Sequence, residues 1–151
     1  MIYKILIALS TGVLGIFSGA QITEGVLFVP YWKALQPKEF FELHQTYGKK
    51  IYQFFAPLTI VATLVPLLTV AYGFFTNIDS QLSLMLMGLF TTLFFSTYFL
   101  YFKKANKLFA EASISHEDLP AELNRWERWH WGRIIFEFIA FICSIVALIH
   151  L

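Results

Sequence analysis

Five side chains near the end of this sequence, Trp126, Trp129, His130, Arg133 and Glu137 in "NRWERWHWGRIIFEF", are linked by steps of three and four residues: Trp126 to Trp129 and His130, and these to Arg133 and then Glu137. On a helix that spacing sets them along one stripe, with His130 beside Arg133 and one turn beyond Trp126, while Arg125 and Arg128 fall on the other face. An imidazole next to a guanidinium and an indole N–H supplies a base and two groups able to steady a developing negative charge. Trp and Arg also anchor helices at membrane surfaces, and the tryptophans suit either role. Arg133 and Glu137 lie within an apolar run, where charge is costly and is paired or functional.

Three further residues belong with this stripe. Glu24, in "SGAQITEGVLFVP", is a carboxylate followed by four apolar residues, so it should face the interior of a bundle, paired with Arg133 or serving as base or ligand. His44 has Phe40, Phe41, Tyr47 and Gly48 as its helical neighbours, a setting common for a core histidine. Asn106 follows a third apolar run. Glu24, His44, Asn106 and His130 come from four different helices at a similar depth, and four-helix bundles build sites by this kind of convergence. His116 and His150 read as solvated. His116–Glu117 lacks the second His of a zinc-protease motif, and Gly48 belongs to no phosphate-binding loop.

The elements that must position these groups are membrane helices. With 58% hydrophobic, 19% aromatic and only 14% charged residues, the 151-residue chain is too apolar for an ordinary soluble domain. Four runs, about 2–23, 54–76, 82–102 and 132–151, each approach the ~20 residues a spanning helix needs. The fold class is all-α, a single four-helix integral membrane bundle. The first run has features of a signal peptide, but its apolar character continues through Ile22 to Val29, so it is read as an uncleaved helix. A lone Cys143 excludes a thiol–disulfide mechanism within one chain, and the basic residues are too interspersed with acids for a nucleic-acid surface.

Of the eleven Lys and Arg residues, only Lys4 falls on the side shared by the termini and the second connection. The excess in the first and third connections places those two segments in the cytoplasm and both termini outside. Asn77 and Asp79 in "FFTNIDSQ" predict a tight external turn. Pro37 suits a first helical turn, so helix two should start in the cytoplasm. "YFKKANKLFAEA" should extend helix three beyond the membrane, and "SHED" at 115–118 should cap helix four. Pro57 and Pro66 should kink helix two.

The small-residue first helix "GVLGIFSGAQ", the exit "VPYW" at 29–32, "FFAPL" at 54–58, Asn106, and the W-x3-H-x2-R pattern of Trp126, His130 and Arg133 resemble the anthrone oxygenase-like membrane proteins. The resemblance covers nearly the whole chain, although Ala105 stands before Asn106 where relatives often have a Pro-x-Asn turn. It implies a four-helix membrane protein, some of whose relatives oxidise anthrones to anthraquinones with dioxygen. Two mechanisms suit the matched residues. In one, a carboxylate or imidazole, with His130 the best base, removes an activated C–H proton and Arg133, Asn106 or a Trp N–H holds the resulting phenolate. In the other, Glu24, His44 and His130 form a two-His, one-carboxylate site for non-haem iron, with copper or zinc as other occupants.

The expected function is therefore an oxidoreductase or oxygenase acting on a hydrophobic, aromatic small molecule at a cytoplasmic-side site. Catalytic roles fall to His130, Arg133 and Glu24, and substrate contacts to Trp126, Asn106 and Trp129. The cofactor is a metal ion or none. The rival reading is a non-catalytic lipid- or quinone-binding protein or assembly factor; a small transporter fits less well, since the run of helices shows no repeat. Membrane lipid is the expected partner. Gly12, Gly15 and Gly19 allow close helix packing, within the chain or in a homo-oligomer.

Overall fold

A computed structural model describes residues 2–76 and 81–150. Four helices account for nearly all of them: α1 (Ile2–Ala34), α2 (Pro37–Phe75), α3 (Leu82–Ala110) and α4 (Leu119–Ile149). Each is long and apolar enough to cross a membrane, with mean hydropathy of 1.6 to 2.2 over its most apolar stretch. Only 22 to 33% of the residues in those stretches are buried within the chain. The remaining apolar surface, including Ile16, Leu68, Phe99 and Ile135, points outward and needs lipid to cover it. The principal contacts run α1 to α2, α2 to α3, α3 to α4 and α4 back to α1, which closes a four-membered ring.

The helices outrun the apolar stretches read from the sequence. At 39 residues, α2 spans ~58 Å against a hydrocarbon core of ~30 Å. It begins at Pro37, whose missing N–H is harmless in a first turn, and the Gln36 N–H donates to Glu39 Oε2 at 3.0 Å. The helix continues unbroken through Pro57 and Pro66. Further along the chain, α3 ends in a reversal where Ser113 N–H donates to Leu108 O and Ala112 takes a left-handed φ of 48°. Before α4, the Ser115 hydroxyl accepts from the Asp118 N–H at 3.1 Å and pairs with the Asp118 carboxylate at 2.6 Å, close to the expected cap. The expected turn at Asn77 and Asp79 lies outside the described residues.

Two wide turns interrupt the helices at one end of the bundle. In α1, residues Glu24–Phe28 form a π-turn, and the Val29 N–H reaches back five residues to Glu24 O. Pro30 explains it: the ring has no N–H for Val26 O and crowds that carbonyl, so the helix takes in one extra residue and continues. A second π-turn, Tyr98–Phe102 in α3, has no proline or glycine to account for it.

Packing differs along the bundle. An aromatic cluster of Trp32, Phe40, Phe102, Phe109 and Trp126 fills the end with the wide turns, while Ile7, Leu14, Leu84 and Met87 fill the opposite end. Gly15 meets the Phe141 ring, where a Cβ would stand 3.0 Å from Cε2, so it lets α1 and α4 approach. Gly12 and Gly19 face open space, so the three glycines do not form one packed seam within the chain.

Candidate functional site

The wide turn of α1 brings Glu24 against α4. The Arg133 Nη2 donates to Glu24 Oε2 at 3.3 Å and to His130 Nδ1 at 2.9 Å, and Glu24 Oε2 lies 3.7 Å from His130 Nδ1. On the far side of the ring, His130 Nε2–H donates to the backbone carbonyl of Gln21 at 2.9 Å. A carbonyl only accepts and a guanidinium only donates, so the network fixes His130 as the Nε2–H tautomer with both nitrogens engaged. Its fully buried ring stacks on Trp126 at 4.8 Å. Gly25 makes this closeness feasible, because a Cβ there would stand 3.1 Å from His130 Cδ2 and Nε2.

The guanidinium of Arg133 lies over the Phe102 ring at 4.1 Å, which the second wide turn carries into the core. One turn further along α4, Glu137 is fully buried and its Oε1 accepts from the Ser18 hydroxyl at 3.0 Å. Hydrogen bonding is incomplete here. Gln21 Oε1, Arg133 Nε and Glu137 Oε2 are buried without a partner. The expected pairing of Glu24 with Arg133 is present, and the stripe from Trp126 through His130 and Arg133 to Glu137 does point inward.

The other candidate residues fall elsewhere. His44 Nδ1–H donates to Phe40 O at 3.0 Å, and its ring sits edge-on to Trp32 at 5.2 Å. Trp32 in turn meets Trp126 at 5.6 Å, so two indoles stand between His44 and His130. A metal ion held by Glu24, His44 and His130 does not fit: the imidazoles are separated, both His130 nitrogens are taken, and a guanidinium occupies the position beside the carboxylate. Among the described residues no three His, Cys, Asp or Glu side chains are grouped to hold a metal. Asn106 accepts from Trp126 Nε1–H at 2.9 Å, which makes it a support for that indole. Trp129 turns away from the stripe and stacks on Tyr101, with ring centres 5.1 Å apart and planes 6° from parallel.

A cavity of about 380 Å³ adjoins this network between α1 and α2. Glu24 supplies its sole carboxylate, and Phe28, Tyr31, Trp32, Tyr47 and Phe55 supply aromatic walls. Lys33 and Glu127 join α1 to α4 nearby at 2.6 Å. Trp32 entered the sequence reading only as the last residue of the exit "VPYW", and Gly25 and Phe102 were not among the residues singled out. "VPYW" carried a signal for Trp32 through its proline, whereas nothing local marked Phe102. Comparisons with protein-family models, curated proteins and solved structures give no match.

Proposed function

We propose that the protein takes a hydrophobic, aromatic, membrane-soluble molecule into the Glu24 cavity and that Glu24 accepts a proton from it. The observation carrying this reading is the placement of one carboxylate in the wall of an otherwise aromatic and apolar pocket. Its volume lies within the ~300–1,000 Å³ usual for small-molecule sites, and a few fixed polar groups in an apolar lining set orientation. In this reading Arg133 steadies Glu24 from behind, and His130 is a positioning residue that holds Arg133 in turn. The base role assigned from the sequence to His130 passes to Glu24, because both imidazole nitrogens are already bonded.

The resemblance to the anthrone oxygenase-like proteins suggests an oxygenase reaction, for which the substrate is an aromatic ketone with an acidic C–H. Glu24 takes the proton, the delocalised anion gives electrons to dioxygen, and the products of anthrone oxidation are the quinone and water. The Lys and Arg excess in the connecting segments supports a site at the cytoplasmic end. A second reading, binding of a quinone or lipid without turnover, is favoured by the tightly bonded state of His130 and Trp126.

Protein in lipid nanodiscs supplied with anthrone and dioxygen tests both. Oxygen uptake and quinone absorbance above a protein-free control, lowered ~100-fold or more in Glu24→Gln, support proton abstraction. Quenching of tryptophan fluorescence without turnover supports the binding reading. Neither response would sink both.

A further inference from the structure

A second cavity, of about 430 Å³, opens between α3 and α4 on the other side of Arg133. Arg125, Arg128 and Arg133 line it together with Trp129, Gly132 and Phe136, residues that share a face of α4 at three- and four-residue steps. Thr97 of α3 adds a hydroxyl, and no carboxylate contributes to the lining. Glu122 meets Arg125 at 3.4 Å and also accepts from the Tyr101 hydroxyl at 2.7 Å, and Glu24, outside the lining, meets Arg133 at 3.3 Å. Arg128 has no acidic partner within ion-pair distance among the described residues. Both hydrogen bonds of Arg133 leave from Nη2, so its Nε has no acceptor.

Three guanidiniums against two carboxylates, neither of which lines the groove, leave a net positive surface suited to an anion with several oxygens, since forked donors match phosphate geometry. The position along α4 narrows the choice. Arg125 and Arg128 are exposed, whereas Phe136 and the exposed Ile135 begin the apolar stretch that runs to Ile149. Trp129, held flat against Tyr101, stands at the boundary, where indoles settle at headgroup level. A soluble anion uses only the upper part of such a groove, but a lipid uses both.

We propose that this groove binds the phosphate-bearing headgroup of an anionic membrane lipid, with the arginines on the phosphate and an acyl chain passing Phe136. Basic pockets between membrane helices recognise lipids in this way. The site is separate from the Glu24 cavity, and its occupancy does not depend on any reaction there. Gly132 keeps the groove open: a Cβ at this position meets nothing within 4 Å, so a larger side chain fills the groove without disturbing the bundle.

Native mass spectrometry of detergent-purified protein, titrated separately with phosphatidylglycerol and phosphatidylcholine of equal chain length, reads the occupancy. The anionic lipid should be retained preferentially, with a loss of about fivefold for each arginine removed in Arg125→Ala and Arg128→Ala. Gly132→Leu should abolish the preference while helicity and elution volume stay at wild-type values. Equal retention of the two lipids, or a preference unchanged in these variants, overturns the proposal. Binding of inorganic phosphate at the groove with no retention of phosphatidylglycerol also overturns it, by assigning the groove to a soluble anion.

Discussion

Ser10 and Thr69 face each other across α1 and α2 at 2.7 Å, and Thr69 also bonds to the carbonyls of Val65 and Leu6. Further along α1, Glu24, Arg133 and His130 form the other buried polar layer, with Gln21 and Glu137 beside it. The hydroxyl layer is neutral, and each group finds a partner within the chain. The charged layer leaves three buried polar atoms without one, and it separates two cavities of opposite character. In lipid an unpaired polar group costs several kcal/mol, so chains normally satisfy such groups internally. The surplus is confined mainly to one end, in the layer that carries Glu24 and Arg133 into the walls of the two cavities. The exception is Thr91 Oγ1, which is buried and unpaired on α3.

Unfolding in mixed detergent micelles can break this comparison. Arg133→Met should have the largest effect, a loss of ~3–5 kcal/mol, because it leaves the Glu24 carboxylate buried without its counter-charge. Gly25→Ala should cost ~1–3 kcal/mol, since the new methyl group overpacks against His130 and Trp131 at 3.1 Å. Ser10→Ala should cost least, ~0.6 kcal/mol, the usual value for a hydroxyl bond between membrane helices, because Thr69 keeps its carbonyl acceptors. If Arg133→Met were no more damaging than Ser10→Ala, the two layers would be energetically alike and the distinction would fail.

Much of the fold was legible because its solvent demands it. Runs of Leu, Ile and Phe long enough to span a bilayer can be satisfied only by helices here, and Pro37 and Ser115 announce their starts. The Glu24–Arg133 pair was legible too, since two charges in apolar runs must find each other. The separation of His44 from His130 was not. Sequence spacing gives depth along a helix, but rotation of one helix against another depends on which side chains fill the gap, here Trp32 and Trp126. The spacing set Arg125 and Arg128 on a face away from the stripe, and only the structure shows α3 supplying the second wall of their groove.

What the sequence determined by itself is therefore the number of helices, their amphipathic ends and the need for internal charge pairing, all of which follow from local composition and the cost of bare polar groups in lipid. Only the tertiary structure decided which partners those charges take, because two wide turns shift the rotation of α1 and α3 at the site. The first of these turns is written in Pro30. The second has no local cause, and with it the seating of Phe102 beneath Arg133 comes from packing alone.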